Sequence, residues 1–143
     1  MKRIIAFGLF MLASFNVQAQ NEPNDCVNAI TVCGNDTFMS NANGIGNIQE
    51  VTGCGGFENN SIWLHINIVQ GGTLGFDLIP ENTSISVDYD FWVYPANTTC
   101  GALGAPIRCC TTNPLAAGLS NNHTGMYGST LVTQSGPGAD GNG

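Results

Sequence analysis

Between residues 61 and 94, apolar side chains recur at every second position in separate short runs. In SIWLHINIV (61–69), Ile62, Leu64, Ile66 and Ile68 fall on one side, and Trp63, His65 and Asn67 on the other. A period of two marks a half-buried β-strand. Gln70-Gly71-Gly72 then breaks the run with hairpin-turn chemistry. TLGFDLIP (73–80) alternates again, with Leu74, Phe76 and Leu78 on one face. DYDFWVY (88–94) turns apolar at Phe91 and is stopped by Pro95. VNAITVC (27–33) alternates weakly and predicts a first, edge-like strand, and MYGSTLVT (126–133) predicts a short late one. Residues 95–125 carry little periodicity, and no segment keeps a helical period over ten residues. These elements predict an all-β antiparallel sandwich, with 61–69 and 73–80 joined as a hairpin.

The first residues carry a different pattern. MKRIIAFGLFMLASFNVQAQ places Lys2 and Arg3 before an apolar run from Ile4 to Phe15, and closes on Val17-Gln18-Ala19. A basic start, an apolar middle and small closing residues predict a secretory signal peptide over 1–19. The apolar run is too short to cross a bilayer comfortably. The expected mature chain is therefore a single domain over 20–143, secreted or held at the cell surface, with no membrane insertion after cleavage. It is long enough to bury a core.

Cleavage also changes the charge. It leaves Arg108 as the one basic residue against ten acids, a net charge of 1 − 10 = −9. One cation cannot neutralise a phosphate backbone, so nucleic acid is excluded as an expected partner. The chain is rich in Gly, Asn and Thr and poor in Lys, Arg and Glu, which disfavours charged-face helices.

All six cysteines (Cys26, Cys33, Cys54, Cys100, Cys109 and Cys110) follow the signal. In an exported chain they predict disulfides. No Cys-x-x-Cys occurs, and His65 and His123 stand alone, so a zinc site is not expected. CGALGAPIRC is a Gly/Pro-rich loop whose ends could meet, which favours Cys100 with Cys109; Cys110 is the alternative partner. Cys26, Cys33 and Cys54 remain for the N-terminal half with their pairing open, and one cysteine could stay unpaired or bond outside the chain.

Several motifs occur in a fixed order: NDC…AITVC, ENNSIWLHI, GGTLGFDLIP, DYDFWVY, C…PIRCC, NNHTGMYG and SGPGADGNG. The set resembles the N-terminal jelly-roll-like modules of large secreted surface proteins of Bacteroidetes, of the gliding-motility-associated and type IX secretion group. Those modules are similar to pre-peptidase C-terminal and CUB-like β-sandwich domains. The resemblance covers nearly all of residues 24–143. It implies a jelly-roll or CUB-like sandwich and a non-catalytic, adhesin-type role. In such proteins the loop matching SGPGADGNG is followed by two more strands, so the resemblance also implies an N-terminal fragment whose sandwich lacks its last strands. Cys110 departs from the pattern, which expects a single cysteine at that point.

Asp88 and Asp90 flank Tyr89. On a strand they would share a face, about 6–7 Å apart at the alpha carbons. Two anions that close repel unless a cation or water lies between them. Calcium takes six to eight oxygens and suits an exported acidic protein. The CUB-like resemblance brings the loops of Glu58 and Asp140 to the same end, so a structural Ca²⁺ site of Asp88, Asp90, Glu58 and Asp140 is one expectation. The other is that these acids cap strand ends and face water.

Catalysis has little to build on. Two acids on one strand face leave no place for a substrate between opposing groups, and Gly-x-Ser-x-Gly is absent. No enzymatic activity is expected. Trp92 and Tyr94 share the strand face opposite Phe91 and Val93. Exposed, they could stack on sugar rings; buried, they would be core. The sequence thus supports an interaction module that meets an extracellular protein or glycan surface. The alternative is a carbohydrate-binding accessory domain of a secreted hydrolase.

Overall fold

The computed structural model describes residues 23–35 and 37–126, together with the backbone of 136–137. The expected signal over 1–19, the greater part of the 126–133 strand and Asp140 lie outside the described residues.

The described chain is β-rich. Its strands are β1 (Ile30–Val32), β2 (Leu64–Ile66), β3 (Phe76–Leu78), β4 (Phe91–Val93), β5 (Arg108–Cys110), β6 (Thr124–Met126) and β7 (Gly136–Pro137). One 3-10 turn, Cys26–Asn28, precedes β1. Among the described residues no helix is long and apolar enough to cross a membrane.

The strands form three small sheets. β1 and β2 pair in parallel, β3–β6–β7 form an antiparallel sheet, and β4 pairs antiparallel with β5. Neighbours in space are therefore mostly distant in sequence. The expected hairpin between 61–69 and 73–80 is not formed. β2 instead takes β1 as its partner, with Ile30 opposite Leu64 and Val32 opposite Ile66. Parallel pairing needs a long crossover, and the chain from Cys33 to Trp63 supplies it. Hydrogen bonds from Ile30 N–H to the Trp63 carbonyl (2.9 Å) and from Asn67 N–H to the Val32 carbonyl (3.3 Å) extend the pairing at either end.

β3 pairs with β6, Phe76 opposite Met126 and Leu78 opposite Thr124. The apolar row read from the sequence explains why. Phe91, Cys110 and Met126 form the buried cluster, and Leu74, Phe76, Leu78 and Val93 pack against it half-buried. The core thus lies where the β3–β6–β7 sheet meets the β4–β5 pair. Phe76 and Phe91 meet edge to face at 5.0 Å, a geometry worth about 0.5–1.5 kcal/mol beyond area burial. Gly125 lies opposite Asp77. A Cβ there would collide with the Phe76 carbonyl, so only glycine lets β6 approach β3 this closely.

The cysteine expectation needs correction. The structure pairs Cys26 with Cys100 and Cys54 with Cys109, not Cys100 with Cys109. The 100–109 loop does not close on itself. Each of its ends is tied to a different N-terminal segment. Strand alternation separates the neighbouring cysteines: Cys109 pairs across from Trp92, and Cys110 across from Phe91. Cys110 is therefore a buried free thiol in the core, and Cys33 is an exposed one just past β1.

Candidate functional site

Asp88 and Asp90 precede β4 rather than standing on it, so strand alternation does not fix a shared face for them. Asp88 is half-buried and Asp90 exposed. Asn113 Nδ2 donates to Asp88 Oδ2 at 3.3 Å, and Asp88 Oδ1 is buried. Burial raises the pKa of Asp88, with the Asn113 side chain and the Tyr89 backbone N–H opposing it. Partial desolvation by its neighbours raises Asp90 as well, although its side chain still reaches solvent, and the Asp88 charge adds to it. The ionised pair therefore weakens the fold, and protonation relieves that cost.

Glu58 has a different task. It is buried, and its carboxylate is filled by N–H donors. Glu50 N–H (2.6 Å), Val51 N–H (3.2 Å) and Gln49 Nε2 (3.1 Å) donate to Oε2, and Trp63 Nε1 (2.8 Å) donates to Oε1. Lone pairs aimed at N–H groups are not aimed at a cation. Glu58 therefore serves its own loop, and its Oε2 in particular is taken up by three donors. Among the described residues no group of three or more His, Cys, Asp or Glu is placed to hold a metal ion.

Around Glu58 the polar chain is stitched into one bracket. Cys26 N–H donates to Glu50 Oε2 at 2.6 Å. Ile48 N–H and Asn47 Nδ2 donate to the two oxygens of Asp25, at 3.1 and 3.0 Å. Asn24 Nδ2 reaches the carbonyls of Asn43, Gly44 and Ser61. Residues 24–28, 43–51 and 58–63 are thereby joined without regular secondary structure. This is how buried loop backbone meets its hydrogen-bonding requirement. The Asn47 backbone N–H lowers the Asp25 pKa most, against burial and with Ile48 N–H and the Asn47 side chain adding to it. Its bonds are therefore retained at neutral pH and lost as the pH falls through that lowered value. Glu50 is shifted the other way, mainly by burial and then by the charges of Glu58 and Asp25, against the Cys26 hydrogen bond. It favours the fold more as it takes up a proton.

Trp63, Trp92 and Tyr94 are engaged by the protein, whereas Phe57, Phe38 and Tyr89 are exposed. Tyr94 stacks on Trp63, with centroids 5.8 Å apart and planes 24° apart. Its hydroxyl is buried, and burial, with the charges of Glu58 and Glu50, raises its pKa against a backbone contact with Thr52. Trp92 Nε1 donates to the Gly53 carbonyl at 3.3 Å, and its ring lies over Gly56, where a Cβ would strike it. Trp92 and Tyr94 do not form a joint open platform. Of the two histidines, His65 sits opposite Thr31 and is exposed, and His123 is half-buried ahead of β6.

The feature sequence reasoning missed is the position of the 61–69 row. Alternation of this kind predicts an apolar side turned to a core. In the structure Leu64 is 37% exposed, Ile66 39% and Ile68 59%, and Ile30 beside Leu64 is 37% exposed. Ile30 and Leu64, and the half-buried Val32 with Ile66, share one face of the parallel pair, because partners in register point the same way; Ile68 lies beyond the end of β2. Among the described residues neither β1 nor β2 has a second strand neighbour. The result is a partly exposed apolar sheet face on a two-stranded sheet. No family model, curated protein or solved structure matches this chain.

Proposed function

We propose that this chain is a non-catalytic interaction module of adhesin type, acting outside the cell or at its surface, of the kind its motif order resembles. The observation that carries the proposal is the exposed apolar face of β1–β2. Contiguous exposed apolar surface and unpaired strand edges are where proteins meet partners. Two disulfides are compatible with an oxidising extracellular setting. A carbohydrate-binding accessory role has weaker support, since Trp92 lies over Gly56 and Tyr94 stacks on Trp63. The test is adhesion. Beads coated with the protein are expected to bind cells of the source organism, and the Leu64→Ser/Ile66→Ser double variant to lose at least tenfold in bound beads. The variant must keep both disulfides and its circular dichroism. Equal adhesion by such a variant would remove the face from the function.

Calcium enters this proposal only through Asp88 and Asp90. The supporting observation is the buried Oδ1 of Asp88 beside a second carboxylate, with no cationic side chain among the causes of either group's shift. The pair's raised pKa values set the signs. In chelator, the contribution of the pair to stability grows as the pH falls through those raised values. At neutral pH, calcium should reproduce the gain, since a ligand of the folded state adds about 2.7 kcal/mol at a hundredfold its dissociation constant. Asp90→Asn should melt higher than the parent in chelator and gain nothing from calcium. A parent melt indifferent to calcium at neutral pH would leave the pair a solvated strand lead-in.

A further inference from the structure

We draw no further inference here: the strongest candidate, the apolar face of the β1–β2 pair with the exposed Cys33 thiol beyond the end of β1, is the surface already described, and nothing in the structure shows what covers it.

Discussion

Reduction of both disulfides is expected to abolish cooperative folding at 37 °C. The buried apolar residues among those described are few: Val51, Phe91, Cys110 and Met126. Much of the remaining aliphatic surface is open, including Val69 at the end of the 61–69 run. A small core leaves a small margin over chain entropy. The bonds close spans of 74 and 55 residues. On the chain-entropy model each such span is worth about 4 kcal/mol. The spans interleave, so the two contributions are not simply additive, but either is comparable to the whole stability of a marginal domain. The check is a thermal melt by near-ultraviolet circular dichroism, with and without reductant, beside a Cys54→Ser/Cys109→Ser variant. The reduced protein should show no sigmoidal transition, and the variant should melt well below the parent. Equal melting temperatures would show that the core suffices alone. Non-reducing peptide mapping should recover Cys26 joined to Cys100 and Cys54 joined to Cys109.

Glu58→Ala should be the most damaging single substitution outside the apolar core. It removes one carboxylate and strands four donors at once: Glu50 N–H, Val51 N–H, the Gln49 amide and the Trp63 indole. Each stranded buried donor costs about 1–3 kcal/mol, reduced where water can enter. A total loss of about 3–5 kcal/mol follows, since Gln49 can turn to solvent. Glu58→Gln should cost less, because its remaining carbonyl oxygen still accepts. The Trp63 indole sits in the bracket, so its fluorescence should report the loosening. Urea denaturation of the three proteins measures both effects. An Ala variant within 1 kcal/mol of the parent, on the scale of ordinary surface substitutions, would show that water satisfies these donors.

The origin of this bracket explains what the sequence could and could not reveal. Glu58 lies in a loop, and nothing local marks it as more than a solvated acid. Its donors come from residues 49–51 and 63, which only the fold brings together. The signal that could have found it is weak: a lone acid just ahead of a strand-facing Trp in a chain with few cations. By contrast, the strand positions were legible. Leu74, Phe76 and Leu78 alternate because that face packs on Phe91 and Met126. Phe91 and Val93 alternate for the same reason. β5 was not legible, because Arg108-Cys109-Cys110 offers no alternation of apolar and polar residues. Its inward residue is a cysteine that reads as a disulfide partner until Cys54 is seen to take Cys109.

Pairing order was illegible for a different reason. Alternation says which residues share a face but not which strand lies beside it. The short Gln70-Gly71-Gly72 link favoured a local hairpin. The structure instead joins β2 to β1 across more than thirty residues of sequence and β3 to β6 across nearly fifty. The row at 62–68 shows the limit of the pattern most clearly. Its period of two located the strand correctly. It could not say that the apolar side would be left open, because a face made for a core and a face made for a partner have the same sequence signature.

Carbene footprinting of the oxidised protein in solution reads out the exposure of the β1–β2 face. Labelling tracks solvent access to individual aliphatic side chains. Ile30, Leu64, Ile66 and Ile68 should label strongly, while Phe91 and Met126 in the same digest stay protected. Protection of the 62–68 row equal to that of Phe91 would contradict the account, since it would place the row in a closed core and leave the proposed contact surface without its apolar face.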